Sequence, residues 1–144
     1  MNSFYDNELI VCLNDSEIER FLVISDTSDY IDKINSNFNF LNGRINFIEL
    51  NNNRYMGSNQ NNISTDIVCF INGLIQDGLC EKNERIIYIG DSLINNGYEF
   101  YLYDLIKILP YLVNEIPQHH YFFSINEMKI IFVSFENEIY FGIL

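Results

Sequence analysis

Positive charge is scarce in this sequence of 144 residues. Eight Lys and Arg residues stand against twenty Asp and Glu residues, which gives a formal net charge of -12 at pH 7. A chain with this surplus repels phosphate backbones and anionic lipid surfaces, and it attracts basic protein surfaces. The composition therefore argues against direct binding of nucleic acid or membranes and points to a basic protein as partner.

Cysteine is also scarce. The three cysteines form no CxxC pair, and an odd number cannot all be paired within one chain. We expect three reduced thiols in the core, as in cytoplasmic proteins. The amino terminus lacks the basic flank and apolar run of a signal peptide, and no stretch approaches the roughly 18 apolar residues of a membrane helix. These features predict a cytoplasmic location.

The two histidines, His119 and His120, are adjacent. On a predicted strand they point to opposite faces and cannot chelate one ion together, and no cysteine or carboxylate falls at a recurrent ligand spacing. We expect one imidazole to be packed and hydrogen-bonded and the other to face water. No metal or other cofactor is predicted.

The densest apolar sequence lies in the last third of the chain. The unbroken run Ile86 to Ile89 predicts a central strand that is covered on both faces. Apolar residues from Phe100 to Ile116 then trace one helical face, in which Pro110 predicts a kink or a split near Ile108. The remainder predicts an antiparallel meander with strands over 119–123, 129–135 and 139–143.

The patterns in the first half are shorter and more polar. They predict, in order, a strand over 9–13, a helix from Asp15 or Ser16 to about Val23, an amphipathic helix around Ile31 to Phe38, a turn at Asn42-Gly43, a strand over 45–50, a mobile loop over the Asn-rich segment 51–62, and a helix from Ser64 or Thr65 to Gly78.

These elements predict an α+β protein. With 48% hydrophobic residues, the chain is long enough for one domain over 1–144. We expect a mixed or mainly antiparallel sheet of about five or six strands, with helices packed against it and a β-meander at the carboxyl end.

The string Gly90-Asp91-Ser92-Leu93 directly follows a predicted strand. It resembles the first block of the GDSL hydrolase family, in which the serine is the nucleophile. A serine nucleophile needs a base and oxyanion donors, and the family's Asp-x-x-His pattern is missing because Ile116 and Pro117 precede the histidines by three residues. A GDSL-like esterase using Ser92 is therefore an alternative hypothesis, beside a strand end where Asp91 and Ser92 bond free backbone N–H groups.

Several stretches of the carboxy-terminal part resemble small bacterial immunity proteins, which are encoded beside polymorphic toxins that include contact-dependent growth-inhibition toxins. The stretches are Ile87-Tyr88-Ile89-Gly90-Asp91, the apolar helix Leu102 to Ile116, Pro117-Gln118-His119-His120-Tyr121-Phe122, and Ser134 to Gly142. The resemblance covers roughly the last 60 residues, and Lys129-Ile130 stands where a Trp-Cys pair is expected.

The resemblance implies a cytoplasmic protein without enzyme activity that binds and neutralises one toxin, often a nuclease, by covering its active site or an essential surface. Acidic side chains would pair with Lys and Arg of a basic toxin, and a few aromatic residues would act as anchors. Tyr98, Tyr101, Tyr103, Tyr111 and Tyr121 could form an aromatic face or lie at the core edge. The candidate partner-binding residues are Asp91, Glu99, Asp104, Glu136 and Glu138, which lie at predicted loop ends or helix starts. A generic acidic interaction module is the further alternative.

Overall fold

The computed structural model describes residues 1–18, 20–124 and 126–144. Within them the chain forms one α+β domain, as predicted, with four α-helices and a seven-stranded sheet whose strand pairs are all antiparallel. The elements are α1 (Phe4–Asp15), β1 (Leu22–Ile24), α2 (Ser28–Asn37), β2 (Phe40–Leu41), β3 (Arg44–Ile45), a 3-10 helix (Phe47–Glu49), β4 (Asn51–Gly57), α3 (Ile63–Gln76), β5 (Arg85–Gly90), β6 (Gly97–Tyr101), α4 (Leu102–Glu115), β7 (His120–Ser124), β8 (Lys129–Val133) and β9 (Glu138–Ile143).

The sheet has the strand order β1-β6-β5-β7-β8-β9-β4, and each of its two faces carries an apolar core. On one side, which we call the helical face, Tyr88, Phe122 and Phe141 pack in one cluster with residues of α1, α3 and α4. On the other, the hairpin face, Ile87 and Phe132 pack in a second cluster with residues of α2, the β2–β3 hairpin and the 3-10 helix. Burial on both faces explains why the central strands read as unbroken apolar runs.

The carboxy-terminal half follows the sequence prediction closely, except at β6, which the sequence patterns do not predict. β5 is an interior strand, and β7, β8 and β9 form the expected meander. The predicted split of α4 is wrong, because the helix continues through Pro110. The missing N–H of a proline costs about 3 kcal/mol in a helix, and the buried side chains of Leu105, Leu109 and Leu112 offset that cost.

The predicted order of elements before α2 is wrong. Residues 9–13 lie within α1, which begins at a capping box in which Ser3 and Asp6 bond each other's backbone N–H groups. Leu9 and Leu13 are four residues apart and both fully buried, so the short apolar run is one face of a helix. The helix predicted from Asp15 or Ser16 to about Val23 is wrong over 16–18 and 20–23, although Glu19 lies outside the described residues. Its last residues belong to β1, an edge strand that pairs with β6.

The middle of the chain also differs. Of the strand predicted over 45–50, only Ile45 lies in a strand, β3, and the 3-10 helix follows it. Part of the loop predicted over 51–62 is the strand β4. β4 is ordered by pairing with β9, a partner more than 80 residues away that local composition cannot reveal. With β1 and β6 also unforeseen, the sheet has seven strands and not five or six.

Candidate protein-binding surface

A row of aromatic side chains crosses four neighbouring strands on the hairpin face. Tyr121 pairs with Phe132, Phe132 with Tyr140, and Tyr140 with Tyr55, so the row runs from β7 through β8 and β9 to the edge strand β4. The ring centroids are 4.8 Å, 6.0 Å and 4.9 Å apart along the row. Cross-strand aromatic neighbours at these distances stabilise one another and fix each ring's position.

The row is covered at its centre and open at its β4 end. Phe47 of the 3-10 helix stacks on Tyr140 with centroids 5.1 Å apart, and Phe132 is buried. Tyr55 is 58% exposed, and Ile48 beside the row is 86% exposed. A cavity of about 380 Å³ lies between the β2–β3 hairpin and the row, and its lining includes Leu41, Arg44, Ile48, Phe132 and Tyr140. Apolar surface that is rigid and partly open is typical of a protein contact site.

Two of the predicted carboxylates, Glu136 and Glu138, lie at this open end and share one cation. Arg44 donates through Nη1 to Glu138 Oε1 (3.1 Å) and through Nη2 to Glu136. The hydroxyls of Tyr55 and Tyr140 donate to Glu138 Oε2 at 3.3 Å and 3.2 Å. Two carboxylates against one guanidinium leave a net negative charge, and Glu138 is held in place by three donors.

The protonation states at this end of the row follow from these contacts. A hydrogen bond from its own backbone N–H, assisted by the Arg44 guanidinium, lowers the pKa of Glu136. Partial burial acts to lower the pKa of Arg44, but the hydrogen bonds to Glu138 and Glu136 outweigh it and raise that pKa. Glu136 and Arg44 are therefore both charged at neutral pH.

Asp91 lies at the far end of the same face. Its carboxylate accepts the backbone N–H of His119 at 3.1 Å, as predicted for a strand end. Asp91 is exposed and lines a cavity of about 250 Å³ together with Ile31, Phe40 and Tyr121. The first ring of the aromatic row thus has a carboxylate near it.

The other two predicted carboxylates lie elsewhere. Glu99 is on the hairpin face opposite Ile87, but β5, β7 and β8 separate its strand from β9, and it bonds to Arg85 Nε at 3.3 Å. Asp104 is in the first turn of α4 on the helical side, where its side chain is 8% exposed and pairs with Lys107 at 3.3 Å. Asp104 is therefore not part of the surface that carries Glu136, Glu138 and Asp91.

The residues of the esterase hypothesis do not form a nucleophile–base pair. Ser92 is exposed, and its backbone N–H donates to Gln118 Oε1 at 3.2 Å. His120 is buried with its Nδ1 2.6 Å from the Tyr88 hydroxyl, and His119 Nδ1 accepts a backbone N–H from the turn after β8. Burial lowers the pKa of His120 to about 3, so this imidazole stays neutral. Among the described residues neither imidazole bonds the Ser92 hydroxyl, and this geometry gives the hypothesis no support.

The cysteines are free thiols in different environments. Cys80 is buried, Cys12 is half-buried, and Cys69 is exposed, so the expectation of three core thiols is wrong for Cys69. Burial raises the pKa of Cys80 to about 12, which makes it a poor nucleophile. In the described part of the chain, no group of three or more metal-ligating side chains is arranged to hold an ion, and no helix is long and apolar enough to cross a membrane.

Sequence reasoning missed the residues that complete the aromatic row. Of the five tyrosines considered as an aromatic face, Tyr121 belongs to the row, whereas Tyr98 is buried in the helical core. The available signal was the two-residue spacing of Glu138 and Tyr140, which places both side chains on one face of a strand. The strand predicted over 139–143 begins one residue too late to include Glu138. Tyr55 gave no such signal, because it lies in the Asn-rich segment.

Comparisons with protein families, with curated proteins and with solved structures found no match for this chain.

Proposed function

We propose that this chain is an immunity protein that binds and neutralises a cognate basic toxin, of the nuclease class, by covering its active site or an essential surface. The proposal places the protein in the cytoplasm, where such a toxin would meet its substrate. The observation that carries it is the junction of the open aromatic row with the Glu136–Glu138 pair, because one rigid patch there combines apolar area with surplus negative charge.

The two components of the patch have different roles in recognition. Tyr55 and Tyr140 offer large, rigid contact area that loses little conformational entropy on binding. The carboxylates of Glu136 and Glu138 would pair with Lys or Arg of the toxin, and the overall charge of -12 would accelerate the encounter. Fast association suits an inhibitor that must reach a toxin before the toxin reaches its substrate.

The test uses the toxin domain encoded by the gene immediately upstream as the binding probe. Cells that express this domain are expected to survive when the chain is co-expressed, and the purified proteins should associate with a rate constant that falls steeply as salt rises. Replacing both Glu136 and Glu138 by Gln leaves Arg44 as an unpaired cation on the patch. We expect this double variant to associate at least about tenfold more slowly at low salt.

The matched control changes the same amount of charge on the opposite side of the molecule. Glu8→Gln with Asp15→Asn removes two exposed carboxylates from α1 in the helical layer, and its association rate should change by less than about threefold. Equal losses in the two double variants would show that overall charge acts without this patch. A lack of protection against the co-expressed toxin domain would refute the immunity function, and binding without protection would favour a generic interaction module.

A further inference from the structure

The strand β4 is a free edge of the seven-stranded sheet. It pairs with β9 on one side, from Arg54 opposite Phe141 to Gly57 opposite Glu138, and no described strand lies on its other side. The opposite edge, β1, has only three residues. Very short edge strands are one way in which proteins avoid pairing with other chains, and β4 is seven residues long.

The register shows which backbone groups of β4 point outward. Ser58 N donates to Asn137 O at 2.9 Å, while Glu138 O accepts from Ser134 N on the other side. Because the bonded positions alternate in an antiparallel pair, the backbone groups of Arg54 and Met56 bond to β9. The N–H and C=O groups of Tyr55 and Gly57 therefore face away from the sheet and are free to bond an added strand.

This part of the edge carries few features that block pairing. It contains no proline, and its one charged residue, Arg54, is neutralised by Asp77 at 2.6 Å. The register shift between Asn51 and Arg54, with Asn52 at φ 52°, disturbs the first half of β4. From Arg54 to Gly57 the pairing is regular, so an incoming strand would find a short undisturbed template.

We propose that an extended cationic segment of the partner adds to β4 as a further strand beside Arg54–Gly57; this inference rests on the proposed function and specifies how the partner docks. Backbone hydrogen bonds to Tyr55 and Gly57 hold the segment. Its Lys or Arg side chains on the hairpin side meet the exposed ring of Tyr55 and the carboxylate of Glu138. A second copy of the chain is a poorer occupant, because each copy carries a charge of -12.

The test removes one outward donor without disturbing the pairing with β9. Gly57→Pro deletes the outward N–H, and proline is tolerated on an edge strand where its nitrogen faces solvent. Gly57→Ala is the matched control, since both variants add a Cβ that lies 3.1 Å from the Tyr55 hydroxyl and only the proline lacks the N–H. With the toxin domain of the upstream gene as probe, we expect Gly57→Pro to weaken binding at least about thirtyfold and Gly57→Ala by less than about threefold.

A second measurement needs no variant and so does not depend on how Gly57→Pro folds. In the wild-type complex the amide protons of Tyr55 and Gly57 should exchange at least about tenfold more slowly than in the free protein. Strand addition is refuted if the partner binds while the exchange rates of both amide protons stay unchanged. It is also refuted if Gly57→Pro and Gly57→Ala both fold and bind the partner with equal affinity. Either result leaves the proposed function standing. If the wild-type protein does not bind the probe, both strand addition and the proposed function are refuted. If the wild-type protein is a dimer and Gly57→Pro is a monomer, the edge strand binds a second copy of the chain and not a cationic partner.

Discussion

Replacing Asp6 by Asn should strongly destabilise the fold, although the two side chains have the same shape. Five donors surround the buried carboxylate: Ser3 N, Ser3 Oγ and Asn95 N at Oδ2, and Asn96 N and Tyr98 Oη at Oδ1. They join the start of α1 to the loop before β6. An amide NH₂ accepts nothing, so either orientation of the substituted side chain's amide group would set a donor against a backbone N–H.

The magnitude follows from the groups left without partners. One buried N–H without an acceptor costs about 1–3 kcal/mol, and hydrogen bonds to a charged acceptor contribute about 1.5–3 kcal/mol. Since the remaining bonds also lose that charge, Asp6→Asn should lower the free energy of unfolding by about 3–5 kcal/mol. For a chain of this length the melting temperature should then fall by roughly 10 °C or more.

Urea unfolding followed by circular dichroism measures this change. Asp32→Asn is the charge-matched control, because Asp32 is exposed on α2 and should change the free energy of unfolding by less than about 0.5 kcal/mol. A loss below about 1 kcal/mol for Asp6→Asn would refute the assignment of Asp6 as the acceptor that joins α1 to this loop.

The same comparison has a defined pH dependence. Burial alone would raise the pKa of Asp6, but the hydrogen bonds from Tyr98, Asn95 and Ser3 outweigh it and hold that pKa below its ordinary value of 3.8. A lowered pKa means that the stabilisation is fully present above the unfolded value and is lost as the pH falls through the folded value. The gap between wild type and Asp6→Asn should stay constant from pH 7 to about 4.5 and narrow below that.

Two further predictions concern the strand ends and the acidic patch. Gly90→Ala would bring a Cβ within 1.9 Å of Gln118 Nε2 and displace the Gln118 side chain, whose Oε1 accepts two backbone N–H groups. The free energy of unfolding, measured with urea, should fall by about 2–4 kcal/mol. The control is Gly73→Ala in α3, where the added Cβ meets no atom within 4 Å, and this variant should be as stable as the wild type or more stable. In kinetic measurements with the toxin domain, Glu136→Gln should mainly lower the association rate constant, because the Glu136 side chain is largely exposed. Glu138→Gln should mainly raise the dissociation rate constant, because the Glu138 carboxylate is held among three donors. The opposite result for the two variants would contradict these roles.

The half of the fold that could be predicted is the half whose contacts are close in sequence. β7, β8 and β9 follow one another through short turns, and Asn137 at the second turn has φ 66°, a conformation that Asn tolerates well. The run Ile86 to Ile89 has one interpretation, because four apolar residues without alternation need cover on both faces. Local pattern and tertiary structure agree there.

The errors in the first half have two physical causes. The run from Leu9 to Leu13 is too short for periodicity to separate helix from strand, and the deciding signal was the capping pair Ser3 and Asp6 farther upstream. The prediction of a loop over 51–62 is wrong for the opposite reason. The Asn-rich sequence of β4 has no strand pattern, and this segment becomes a strand because it pairs with β9. The candidate site contains residues of both kinds. Glu136 and Glu138 could be predicted from the sequence. Tyr55 and Arg44 could not, because they lie next to these carboxylates only through the packing and register of strands that are distant in sequence.

The unequal cover on the two faces of the sheet is the reason that we propose the hairpin face, and not the helical face, as the recognition surface. Three long helices bury the helical face, so that Phe141 of β9 is completely buried. Smaller elements cover the hairpin face and leave it partly open at β4, where Tyr55 is 58% exposed although it belongs to the same aromatic row as the buried Phe132. A partner that docks at this edge extends an existing row of rings and an existing ladder of backbone hydrogen bonds. It therefore needs little rearrangement of the protein, which lowers the free-energy cost of binding.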